Sequence, residues 1–162
     1  MIRALNGTEP VLLLDNHTMG AAYGILIQEL LRRKVRLFST LSEAEQEIVD
    51  LLERNGENGY AAFLIEPFYY ILSGSESHTC RRLKTMMVCA RTGLGLPVVV
   101  TSTQSPEDIF AKSGLKKGEH YEEHVSKYGG FAEKLRTTVD RLLQQETRTS
   151  GLLGLYPNHE TF

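Results

Sequence analysis

Three short runs limit this chain to few folds: the continuous apolar VLLL (residues 11–14) and AAFLI (61–65), and the β-branched PVVVTST (97–103). Each is too short for a buried helix and lacks the alternation of a half-exposed strand. The third therefore reads as a strand by its β-branched content, and the first two as buried strands. Such a strand needs a cover on either side, and the segments between the runs supply it.

Tyr23, Leu26, Ile27, Leu30 and Leu31 recur at helical spacing and make one apolar stripe. Residues 35–39 predict a second strand. Ser42-x-x-Glu45 reads as a capping box, with Ala44, Ile48, Leu51 and Leu52 on one helical face behind it. The GENG run at 56–59 stops that helix, and a loop runs from Pro67 to about Ser77. Leu83, Met86, Met87 and Ala90 predict a third helix ended by Gly93 and Gly95. Ser105-Pro106 is a helix start, serine capping and proline at the first helical position. Residues 121–126 predict a fifth strand, and Phe131, Leu135, Val139, Leu142 and Leu143 the last helix. Strands alternating with helices imply an α/β fold, a doubly wound parallel sheet with helices on both faces. For five such units the flavodoxin-like order 2-1-3-4-5 is favoured. The domain is expected over residues 9–145, with an extension at 1–8 and a tail at 146–162 that is either frayed or docked on another surface.

Function classes narrow on charge. A net charge of −2 over 162 residues lacks the basic excess of a nucleic-acid surface. No run of about 18 apolar residues exists to span a membrane. Cys80 and Cys89 form no CxxC pair, which fits a reducing compartment, and the first residues lack a signal-peptide core. A cytoplasmic protein is the expectation.

In an open parallel sheet, chemistry gathers at the carboxyl ends of the strands. Those ends carry Asp15-Asn16, Glu66-Pro67, Thr101-Ser102-Thr103 and Ser126-Lys127-Tyr128. Two chemistries claim the first, DNHTMG (15–20). Asp15 and Asn16 stand as an acidic pair of the kind that holds a divalent metal, or else cap the helix that follows. Alternatively, Asp15-x-His17-x-x-Gly20 has the spacing of a cobalamin-binding loop, in which a histidine reaches cobalt and a carboxylate holds its second nitrogen. The remaining positions also have plain readings: Glu66 and Lys127 as an ion pair at the sheet edge, Thr101 as a strand former.

Taken together, VLLLDN, FLIE, VVVTS and VSKY resemble the receiver domain of bacterial response regulators over roughly residues 9–145. That family has an acidic pair after strand one and a phosphorylated aspartate after strand three. A Thr or Ser follows strand four and a Lys-Pro follows strand five. The resemblance implies that Asp15 and Asn16 match the acidic pair, Glu66 the phosphoacceptor, Thr101 the hydroxyl and Lys127 the lysine. His124, three residues before that lysine, matches an aromatic switch position. Asp15 and Glu66 would be the carboxylate ligands of a weak or absent Mg²⁺ site.

The chain departs from the family pattern in chemically specific ways. Asn16 is an uncharged donor where a direct Mg²⁺ ligand is usual. Glu66 is one methylene longer than aspartate, Tyr128 replaces the proline, and the stretch from Pro67 to His78 is longer. Phosphotransfer needs a cation and a carboxylate placed for in-line attack, so both acidic changes oppose it. A degenerate receiver, or pseudo-receiver, follows. The resemblance then implies a signalling module without catalysis, acting through protein partners such as a histidine kinase or a second copy. Tyr60, Phe63, Phe68, Tyr69 and Tyr70 cluster around strand three, and an exposed aromatic set on the loop after it would suit such a partner. The cobalamin resemblance stops at its first motif, because Glu66-Pro67-Phe68 and Thr101-Ser102-Thr103 stand where that family has Ser-x-Leu and Gly-Gly.

Overall fold

The computed structural model describes residues 7–57, 59–67, 70–71 and 77–155, with side chains as far as residue 145. The expected aromatic positions Phe68 and Tyr69, and Tyr156 of the tail, lie outside the described residues. Five strands, β1 (Val11–Leu14), β2 (Val35–Phe38), β3 (Ala62–Ile65), β4 (Val98–Ser102) and β5 (Glu123–Ser126), form one parallel sheet. Their order is β2-β1-β3-β4-β5. The helices between them are α1 (His17–Leu31), α2 (Leu41–Glu53), α3 (His78–Val88), α4 (Pro106–Ser113) and α5 (Phe131–Leu155).

Every residue of β1, β3 and β4 is buried, whereas the edge strands β2 and β5 are partly exposed. This explains why only the three central strands read as unbroken apolar runs. Side-chain alternation then splits the core in two. Leu12, Leu14, Phe63, Ile65, Val98 and Val100 pack under α2, α3 and α4. Val11, Leu13, Leu64, Val99 and Val125 pack under α1 and α5 with Ile27, Leu135 and Val139.

Local chemistry moves some expected boundaries. The box that starts α2 is Thr40 with Glu43, not Ser42 with Glu45. Thr40 Oγ1 accepts from Glu43 N at 3.2 Å and donates to Glu43 Oε1 at 2.7 Å. Glu45 instead reaches across to α3 and accepts from Arg82 Nε at 3.1 Å. The third helix ends as expected at Gly95, which has a left-handed φ of 63°, but before that it widens into a π-helical turn over Cys89–Gly93. That turn brings Gly93 so close to α2 that a Cβ there would lie 2.9 Å from Leu52 Cδ2. The fifth strand begins at Glu123, because Tyr121 is held in a bridge to Lys117. α4 starts as expected, with Ser105 Oγ accepting from Asp108 N at 3.1 Å. The backbone of α5 continues as helix through residues 146–155.

The loop entering β5 holds a buried histidine. His120 is 5% exposed, and its Nδ1 accepts from Lys116 N at 2.9 Å. Burial lowers its pKa below 6.5; Lys84, Arg91 and Lys116 push the same way, and only Glu119 opposes. The unfolded chain therefore takes up a proton at higher pH than the folded one. Stability from this residue is present above pH 6.5 and is lost as pH falls through the folded value. Urea midpoints measured across that range should fall with pH in the native chain, and fall less in His120→Asn, which keeps an acceptor but does not titrate.

Candidate functional site

The parallel ladders extend one residue past the strands and fix the backbone of the carboxyl edge. Asp15 N donates to Phe38 O at 3.2 Å, Glu66 N to Leu14 O at 2.9 Å and Lys127 N to Ser102 O at 2.9 Å. Their side chains then meet. Lys127 Nζ lies 2.8 Å from Asp15 Oδ2 and 3.6 Å from Glu66 Oε2. The three side chains are 5%, 0% and 4% exposed.

Buried charges are tolerated only when their remaining donors and acceptors are satisfied. Asp15 Oδ1 accepts from Asn16 N at 2.7 Å. Glu66 Oε1 accepts from Ser102 Oγ at 3.0 Å, and Ser102 Oγ in turn accepts from Gln104 N at 3.0 Å. The open side of the ammonium faces Tyr23 of α1, whose ring centroid is 4.4 Å from Nζ. That ring meets Phe131 of α5 edge-on at 5.2 Å. Tyr70 lies within electrostatic reach of both carboxylates, and its hydroxyl donates to Ser39 O at 3.1 Å. Burial, then the charges of Asp15, Glu66 and Glu43, push that phenol up to about 12.

Three expected residues thus land differently. Asp15, Glu66 and Lys127 converge, but Thr101 does not join them. Its side chain has the same alternation as Val99 and turns toward the α1 and α5 layer, where Oγ1 is buried with no hydrogen-bond partner among the described residues. The next residue, Ser102, supplies the hydroxyl. Asn16 is not a pocket residue either, since its Oδ1 accepts from Met19 N at 2.9 Å as the N-cap of α1. His124 Nε2 donates to Gln104 O at 2.8 Å, which ties β5 to the loop after β4 rather than to the carboxylates. Sequence reading missed Ser102, and it took Tyr23 for a core residue only.

The donor set does not fit a divalent metal in this arrangement. Asp15 and Glu66 both face the Lys127 ammonium, and the Asn16 carbonyl is committed to the cap. No cluster of three His, Cys, Asp or Glu suited to a metal occurs among the described residues. The cobalamin geometry is not assembled either. His17 is exposed, and both Asp15 oxygens already have partners in Lys127 and the Asn16 amide. Gly20 has a packing role of its own, since a Cβ there would come within 2.6 Å of Leu37 Cδ1 and 3.3 Å of Asp15 Cβ.

A doubly wound five-stranded parallel sheet in the order β2-β1-β3-β4-β5 is the fold of response regulator receiver domains. Solved structures bear this out. The signal receiver domain of a modulated diguanylate cyclase from Desulfovibrio desulfuricans matches over 88% of this chain and 98% of its own, with a TM-score of 0.59 and 15% identity. The receiver domain of a sensor histidine kinase from Pseudomonas aeruginosa, with a magnesium ion coordinated in its active-site cleft, matches over 85% and 98%, with a TM-score of 0.57 and 11% identity. A pilus assembly-related protein from Burkholderia pseudomallei matches over 88% and 95%, with a TM-score of 0.58 and 12% identity. At these identities the likeness is one of fold. No family model matches the chain, and no curated protein matches it by sequence.

The two hydroxyls on β4 are separable by substitution. Ser102→Ala removes a donor to a buried carboxylate and should cost about 1–3 kcal/mol, whereas Thr101→Val discards an unpartnered hydroxyl and should be neutral or stabilising. Urea unfolding of both variants checks this, and the opposite ranking would return Thr101 to the site. Lys127→Met leaves two carboxylates without their cation and should cost about 3–5 kcal/mol, part of which Glu66→Gln added to it should recover.

Proposed function

We propose that the chain is a receiver-like signalling module of a two-component or phosphorelay system, of the pseudo-receiver type, that acts through protein contacts and catalyses nothing itself. The observation that carries this reading is the Lys127 ammonium lying against both Asp15 and Glu66, with Glu66 already bound to the Ser102 hydroxyl. In that arrangement Glu66 stands at the phosphoacceptor position with its charge and its hydroxyl partner in place, so an incoming phosphoryl group has neither a free cation nor a free carboxylate. The signal then lies in which surface the module presents. Its partners would be a histidine kinase or a second copy of the chain, in the cytoplasm, and its working unit would be residues 9–145 between the extension and the tail. No helix among the described residues is long and apolar enough to cross a membrane.

Incubation with acetyl phosphate and Mg²⁺, beside an aspartate-bearing receiver as control, should leave the intact mass of this chain unchanged. Beryllofluoride with Mg²⁺ should likewise leave its spectrum unchanged. Rapid Mg²⁺-dependent gain of one phosphoryl group on Glu66 would falsify the pseudo-receiver reading and restore a working phosphoacceptor.

A further inference from the structure

α1 is apolar on the side that faces the sheet and on the side that faces away from it. No Asp, Glu, Lys or Arg occurs between Asp15 and Glu29. Ile27 and Gly20 are buried inward, while Met19, Ile25 and Leu26 are 43%, 68% and 39% exposed. Thr18, Ala22 and Glu29 are exposed as well. A helix apolar all round is normally covered all round. Here one side has no cover from the chain's own described residues.

The order of residues on that face indicates what covers it. Thr18, Ala22, Ile25 and Glu29 are spaced four, three and four apart, the spacing of a seam between two helices. The seam is self-complementary when reversed. About a two-fold axis between residues 23 and 24, Ala22 of one helix meets Ile25 of a second copy, small against large. Thr18 meets the second copy's Glu29, and Met19 flanks its Leu26. Charge complements in the same register. α1 has no acidic residue in its first turn, and Glu29 has no ion-pair partner among the described residues. Antiparallel pairing sets each Glu29 carboxylate at the positive N-terminal end of the other helix, where an anion is stabilising.

We propose that the outer face of α1 is a homodimer interface, formed by antiparallel packing of α1 against α1 of a second copy. A closed two-fold contact of this kind is isologous, so each residue on the seam acts twice. The contact spans one helix of 15 residues, about 22 Å, which is at the low end of specific interfaces and makes a weak, concentration-dependent dimer.

Sedimentation equilibrium of the full chain over a concentration series tests this. The native chain should pass from monomer to dimer mass. Ile25→Glu should raise the dissociation constant at least about 10-fold, since it buries two unpaired charges per dimer. Glu29→Lys should weaken the dimer less than Ile25→Glu, because it reverses the end contacts and leaves the apolar centre. Both positions are exposed, so circular dichroism and melting temperature should stay at native values, and Ala22→Arg serves as a second seam variant should either fold poorly. A monomer at every concentration overturns the proposal. A dimer that survives Ile25→Glu and Ala22→Arg also overturns it and places the contact elsewhere.

Discussion

Much of this structure depends on one ammonium group placed between two carboxylates in a nearly dry pocket. Each of the three charges alone would be very costly at that depth. Together they are tolerable because the neighbouring Ser102 hydroxyl, Asn16 amide and Tyr23 ring occupy the remaining directions. The arrangement gathers the ends of four strands into one cluster, since Asp15, Glu66, Ser102 and Lys127 come from β1, β3, β4 and β5 or directly follow them. Strand order is thereby linked to chemistry. The four contributing strands are neighbours in the sheet, which is what lets their ends meet.

The fold was largely legible because burial on both faces leaves a plain signature. VLLL, AFLI and VVVTS lack alternation only because helices cover both of their sides. Boundaries were less legible where two residues compete for the same role. Ser42 and Glu45 have the correct spacing for a cap, yet Thr40 and Glu43 have it too. Only the three-dimensional position of Arg82 explains why Glu45 is used elsewhere. The π-helical turn at Cys89–Gly93 has no local sequence mark, and its close approach to α2 involves residues far apart in the sequence.

The candidate site was legible in its charges and not in its neutral groups. Asp15, Glu66 and Lys127 stand at strand ends, where polar residues after apolar runs are conspicuous. Thr101 and Ser102 are chemically alike, and the choice between them depends on which face of β4 each occupies. Counting from Val98 assigns Ser102 the opposite face from Thr101, but the direction taken by Glu66 past the end of β3 cannot be counted. Asn16 was ambiguous for a related reason. The same short amide suits a metal or a helix end, and the helix end is nearer.

Tyr23 gives the molecule a mechanical property of its own. One ring touches the lysine of the pocket on one side and Phe131 of α5 on the other, while its backbone belongs to α1. Two helices and the charged cluster therefore share a single pivot. A few degrees of roll in α1 would lift the ring from the ammonium and loosen its edge-on contact with α5 together.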